Sequence, residues 1–356
     1  MITIYNTFDG EIKDLWFELE ENSQISPFQS YNWLSTWYET AGINYSLFIA
    51  CIFLDGRIEA ILPFGIQSKK VIKKLEWLGG AHADYMSPIL RSECDHLLKD
   101  FDNLWIEVLA SLPKFDLLSL KKQIPKIGNS NNPFIDAYPA KRTMQSYQSN
   151  FNNNEELFLD TLSKKLLSDN ARQKRRLSEQ GKLKFNILNT HEDCQEFLNC
   201  MFNFKRKRYK QMRVHDFFEA KENQDFYINL PRTISSTANV SCSTLTLDDE
   251  IIALHWGVTD RKKFFYLMPA YNISTWGNFS PGKLLLHELL EWCNENQFES
   301  FDFTGGEEQY KKIYSNDSFW LYETNHSFTI RGKIYLFSID FGRKVKHIIY
   351  SIIRKL

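Results

Sequence analysis

Hydrophobic and polar positions along the chain alternate between a period near two and a period near 3.6, so strands and helices are interleaved throughout. SPFQSYNWLSTWYET (26–40) opens on Ser-Pro and sets Trp33, Leu34, Trp37 and Tyr38 at helical spacing. YSLFIACIFLDGRIEAILPFGIQ (45–67) places two apolar runs around Asp55-Gly56, the pattern of a hairpin. KLEWLGGAHADYMSPIL (74–90) reads as a strand broken by Gly79-Gly80. LLKDFDNLWIEVLASL (97–112) has the helical period, and FDLLSLKKQI (115–124) reads as a strand.

Residues 126–153 are rich in Asn, Ser, Pro and Tyr and mark a boundary. Beyond it the same grammar returns. Helical patterns cover 155–180, 194–213 and 223–236, the last interrupted by Pro231. LKFNIL (183–188) is a strand, and 241–271 holds two hairpin turns, at Asp248-Asp249-Glu250 and Thr259-Asp260-Arg261. FWLYETNHSFTIRGKIYLF (319–337) reads as a closing hairpin. The pattern predicts an α/β (α+β) protein of two related domains, each a mixed, mostly antiparallel sheet flanked by helices. Their expected extents are 1–145 and 146–335, followed by a basic amphipathic tail over 336–356 with Val345, Ile348, Ile349 and Ile352 on one side. That tail either docks on the protein or touches an anionic membrane surface.

Composition narrows the classes. The 356 residues are 43% hydrophobic and 24% charged, as in soluble globular proteins, and 15% aromatic. A formal net charge of −1 disfavours a dedicated nucleic-acid binder. The six cysteines form no CxxC pair and show no zinc-ligand spacing, so no metal is expected and a reducing cytosol suits them. No secretory signal and no apolar run of membrane-spanning length is apparent. The expected location is cytoplasmic, peripheral to the inner face of the membrane if the tail binds there.

The densest punctuation lies in GNFSPGKLLLHELLEWCNENQFESFDFTGGEEQYKK (277–312). Ser280 fits an N-cap and Pro281 the first helical position. The amides of Gly282, Lys283 and Leu284 then point out of a helix start whose dipole favours an anion. Gly282 permits close approach, and Lys283 adds a charge. The same Ser-Pro-Gly also caps a helix that binds nothing. Neither a Walker loop nor the dinucleotide GxGxxG is present.

Other candidates are single residues. Asp302 sits mid-strand between Phe301 and Phe303 and faces away from both, into a cleft or a cross-sheet pair. Gly305-Gly306 turns the chain toward Tyr310, a proton donor or ring wall, and Lys311, a phosphate ligand or a solvated cation. His255, on IIALHWG, is a base or a buried structural histidine, and His82 with Asp84 forms a cleft-lining cluster or a turn. Basic residues crowd 164–184 and 205–213, where they either attract polyanions or form solvated faces.

The stretches DNARQKRRLSEQGKLKF (169–185), LTLDDEIIALHWGV (245–258), FYLMPAYN (265–272), FSPGKLLL (279–286) and FDFTGGEEQYKK (301–312) resemble, in order and spacing, the CelD/BcsL group of GNAT-like acyltransferases. That group carries a BioF2-like acetyltransferase domain and is distantly related to the FemAB peptidyltransferases. The resemblance implies two GNAT-like domains in tandem and an N-acyltransferase using acetyl-CoA or another acyl-CoA as co-substrate. The implied acceptor is a small-molecule amine, an amino sugar or a cell-envelope or polysaccharide precursor. It implies pyrophosphate binding at Asn278–Lys283, with Ser280, Gly282, Lys283 and Lys311 as ligands and Asp302, Tyr310 and His255 at the reacting centre. The GNAT loop signature Gln/Arg-x-x-Gly-x-Gly/Ala is absent. A Fem-like transferase using aminoacyl-tRNA, with tRNA then the nucleic-acid partner, or a non-catalytic factor in polysaccharide biosynthesis, remains an alternative.

Overall fold

The structure, a computed structural model, describes residues 1–67, 70–151, 162–188 and 193–353, excepting the side chains of 193–195 and 343–353. The apolar positions expected for the tail, Val345, Ile348, Ile349 and Ile352, therefore lie outside the described residues. In chain order the elements are β1 (Ile2–Tyr5), α1 (Glu11–Glu21), α2 (Tyr31–Glu39), β2 (Tyr45–Leu54), β3 (Arg57–Gln67), β4 (Lys74–Trp77), β5 (Ile89–Leu90), α3 (Asp95–Lys99), α4 (Phe101–Ser111) and β6 (Leu117–Gln123). A small ribbon, β7 (Lys126–Ile127) and β8 (Ser130–Asn131), precedes α5 (Pro133–Ala137) and β9 (Ala140–Asn150). There follow α6 (Lys164–Ser178), β10 (Leu183–Leu188), α7 (Asp193–Met212), α8 (Lys221–Asn229), β11 (Ala238–Leu247), β12 (Glu250–Asp260) and β13 (Lys263–Tyr271). The chain ends with α9 (Ile273–Trp276), α10 (Pro281–Glu295), β14 (Ser300–Gly305), α11 (Gln309–Ile313), β15 (Asp317–Ser327) and α12 (Ile330–Ile353).

The turns form where the sequence demands them. Asp55 and Gly56 both take left-handed conformations, at φ 50° and 79°, which matches the twist of the β2–β3 hairpin. Asp248 and Asp249 do the same between β11 and β12. Ser30, four residues after the Ser26 of the expected Ser-Pro start, caps α2 by accepting the Trp33 amide at 3.3 Å.

Two compact units emerge, and they interleave along the chain. The first comprises 1–29, 42–143 and 320–356; the second comprises 30–41 and 144–319. In the first unit the strand order is β1-β2-β3-β4-β6-β15, with β5 on β3 and only β4 and β6 parallel. Its core is aromatic. Phe64 stacks on Trp77 at 4.5 Å, and Phe134 stands edge-on to Phe64, Trp77, Phe101 and Trp105.

In the second unit the order is β10-β11-β12-β13-β14-β9, with only β13 and β14 parallel. The two orders match strand for strand, except that the last strands are exchanged. β9, which follows β6 in sequence, pairs with β14; β15, which follows β14, pairs with β6. In the second unit, Leu285, Leu286, Leu289, Leu290 and Cys293 of α10 are buried in a core with Phe264, Phe301 and Phe303. Each such leucine stabilises by on the order of 2 kcal/mol relative to exposure. Within the same unit Trp33 of α2 packs on Phe226 at 5.2 Å and on Trp256 at 6.1 Å.

The closing hairpin expected over 319–337 does not form. β15 is followed by α12, whose start is capped by Thr329 accepting the Gly332 amide at 3.1 Å. Gly332 is not a turn residue. A Cβ there would lie 2.2 Å from the Asp116 carbonyl oxygen, so the glycine permits the helix to touch the chain before β6. Replacing it with alanine must push the helix outward. Gly332→Ala should cost about 2 kcal/mol, read as a lower urea midpoint with an unchanged denaturant slope.

Candidate active site

β13 and β14 pair for three residues only: Lys263 with Ser300, Phe264 with Phe301 and Phe265 with Asp302. β13 then continues to Tyr271 and β14 to Gly305 without further mutual pairing among the described residues. Both strands carry a bulge at the parting. Leu267 is the extra residue of β13 against β12, and Phe303 is the extra residue of β14 against β9. A bulge bends its strand and takes a residue out of the ladder. Here a side chain supports each one. His255 Nε2 accepts the Leu267 amide at 3.1 Å, and Asp302 Oδ1 accepts the Thr304 amide at 2.8 Å. Thr304 itself takes φ 59°.

His255 is fully buried and stacked on Tyr266 at 4.3 Å. Gly257 makes room for it, because a Cβ at that position would lie 2.3 Å from His255 Cε1. Burial, aided by the charge of Lys205, holds the imidazole well below its ordinary 6.5. Since Nε2 accepts, the neutral ring carries its proton on Nδ1. The lone pair a base would use is already engaged with backbone, so the geometry favours the structural reading of this histidine. Asp302, 1% exposed, likewise serves its own strand.

Tyr310 stands beside the parting, its ring 6.3 Å from Phe303 and 6.4 Å from Tyr266. Burial, with the Glu308 carboxylate, pushes its phenol far up, so the hydroxyl stays protonated. Lys311 is buried; its ammonium donates to the Gly305 carbonyl at 2.8 Å and pairs with Glu308 at 3.3 Å. It secures the turn after β14 and is not among the residues lining the cavity at the start of α10. Lys205 of α7 joins this group. Desolvation pushes it down to about 8, against the opposing pull of Glu308 and with the added repulsion of Lys311. In the sequence Lys205 stands at the start of the basic run 205–213. Its spacing from Phe197 and Met201, both buried, places it on the inward stripe of α7, a signal available in the sequence.

At the start of α10, Ser280 holds the N-cap position but in the left-handed conformation, φ 53°, and its side chain makes no capping bond. The amides of Lys283 and Leu284 already bond the Ser280 carbonyl, at 3.0 and 3.2 Å, so the three-amide cradle expected there reduces to Gly282. Gly282 serves packing, since a Cβ would lie 2.9 Å from the Tyr271 ring. A cavity of about 220 Å³ nonetheless opens here, lined by Ser280, Lys283 and Leu284 together with Asp169, Asn170, Arg172 and Gln173 of α6. Most of the cations of α6 already have partners: Arg172 pairs with Asp169 at 3.1 Å, Lys174 with Glu288, Arg175 with Glu179, and Arg176 lies over Phe279. His82 and Asp84 lie in the first unit. His82 is buried in a turn with its amide on Gly79, and Asp84 is 3.7 Å from Lys122. Among the described residues no metal-holding cluster occurs.

His255→Ala should destabilise by about 3 kcal/mol, through the orphaned Leu267 amide and the cavity left behind. His255→Gln, which keeps an acceptor, should recover part of that loss. The folded imidazole lies below the unfolded value of 6.5, so the unfolded chain takes up the proton first. Stability should be flat above that pH and fall as pH drops below it, with a shallower fall for His255→Gln by thermal melts.

Residues 164–312 match the acetyltransferase (GNAT) domain family. No curated protein matches the chain in sequence. Among solved structures, FemX superposes with TM-score 0.63 at 9% identity, over 95% of this chain and 99% of that one. L-PGS from Bacillus licheniformis gives 0.55 at 13%, covering 91% and 95%. A tandem GNAT protein from the clavulanic acid biosynthesis pathway gives 0.51 at 12%, covering 92% and 98%. The chain thus has a tandem GNAT-like, mixed α/β fold, and it is the second unit that contains the stretch matching the acetyltransferase (GNAT) domain family.

Proposed function

We propose that the second unit transfers an acyl group from acyl-coenzyme A, acetyl-CoA in the simplest case, to the amine of an amino sugar or another cell-envelope precursor. The observation that supports this most is the parting of β13 and β14 at two bulges. Strand edges left without a ladder partner offer main-chain groups to the amides of a pantetheine arm. At the α10 end, Lys283 and Arg172 beside the 220 Å³ cavity supply charge for the pyrophosphate, with Ser280 and the Gly282 amide.

In this reading a neutral amine attacks the thioester carbonyl, the tetrahedral adduct collapses, and the thiolate leaves. The Tyr310 phenol, kept protonated by burial, gives its proton to that thiolate. Lys205, held near 8, takes the proton from the attacking nitrogen. His255 and Asp302 act through the backbone they hold. A second reading, aminoacyl-tRNA as donor, is favoured by the exposed cations Lys207, Arg208 and Lys210 of α7.

Calorimetric titration with acetyl-CoA tests the donor. Wild type should bind, and Lys283→Glu should weaken binding by about ten-fold or more. A glutamate in the first turn suits the helix dipole, so that loss would not come from unfolding. A wild type that binds no acetyl-CoA overturns the acyl-CoA reading; steeply salt-dependent tRNA binding would then support the second.

A further inference from the structure

α12 presents two opposite faces. Its inner face docks on the first unit through Gly332, buried against the Asp116 carbonyl, and Tyr335, which accepts a hydrogen bond from Lys74 at 2.6 Å. Leu336 and Ile339 are half-buried on the same side. The outer face carries Ile330, Ile334, Phe337 and Phe341, which are 77%, 64%, 73% and 61% exposed. At about 100° per residue these four fall within about 60° of arc, directly opposite the docked side. Large apolar side chains exposed in a continuous stripe mark a surface that meets something other than water.

Charge identifies the occupant. From 330 to 356 the sequence holds seven lysines and arginines against one carboxylate, Asp340, although the whole chain carries only −1. Arg331 and Lys333, whose side chains are described, are both exposed beside the stripe. A second copy of the chain would set this excess against its equal, an arrangement that repels. An anionic bilayer satisfies both properties at once, taking the apolar side chains below the headgroups and pairing the cations with phosphates. No described helix is long and apolar enough to cross a membrane, so α12 would lie in the interface plane.

We infer that the Ile330–Phe341 face of α12 rests on an anionic lipid surface and holds the first unit against it. This surface overlaps the start of the 336–356 tail marked in the sequence and extends N-terminally from it, onto residues whose exposure is described. It does not depend on the acyl donor.

Vesicle flotation of the full chain tests it. The protein should float with equimolar phosphatidylcholine and phosphatidylglycerol, not with phosphatidylcholine alone, and less at high salt. Phe337→Ser combined with Phe341→Ser should cut binding by about ten-fold or more, the transfer of two aromatic rings being lost. Both rings are exposed, so the melting temperature and acetyl-CoA titration should stay at wild-type values. Equal flotation with neutral and anionic vesicles, or a double variant that floats like wild type, overturns the inference. So does a concentration-dependent dimer that the same variant dissociates, since the stripe would then be covered by a second copy.

Discussion

Two hydrogen bonds to bulge amides govern the second unit. Leu267 gives its N–H to His255 and Thr304 gives its N–H to Asp302. Without these acceptors, each bulge would leave a buried donor unpaired, and the cheaper arrangement would be a regular ladder. The two bulges fall where the β13–β14 pairing stops, just past Phe265 and Asp302. The gap is therefore maintained by side chains that need touch no ligand. Gly257 belongs to the same device, since any larger residue would evict the imidazole.

This explains why two residues with the look of catalysts turn out to hold backbone. A histidine on an apolar strand face and an aspartate between two phenylalanines are polar groups in expensive places. Sequence shows that expense and not its purpose. The partner of each is an amide, present at every position, so no residue-type pattern announces it. By contrast, Asp55-Gly56, the leucine stripe of α10 and the β11–β13 hairpins were legible, because turn chemistry and period are local properties. The segment 328–337 was not. Gly332 looks like a turn glycine until Asp116, more than two hundred residues away in sequence, occupies the space beside it.

The cations teach a related lesson. Two basic runs look alike in the sequence, yet their members divide by burial and pairing. Arg172, Lys174 and Arg175 of α6 each sit beside a carboxylate, and Arg176 lies over a ring. Lys205 is half-buried, and desolvation lowers its hold on a proton, whereas Lys207 and Arg208 are exposed. Among the described residues, Arg172 and Lys283 are the cations that reach the cavity at the start of α10, and Arg172 does so beside its partner Asp169. Local charge density thus overstates how much positive field the surface offers to a polyanion.

The exchanged last strands have a consequence for synthesis. β14 receives β9, which leaves the ribosome long before it, whereas β6 must wait for β15, nearly two hundred residues later. The half that appears first in the sequence is thus the last to be finished. Until residue 327 emerges, β6 has an open edge, and the nascent chain must keep that edge from pairing elsewhere. The half that contains the stretch matching the GNAT family can close its own sheet first and stand folded while the other waits.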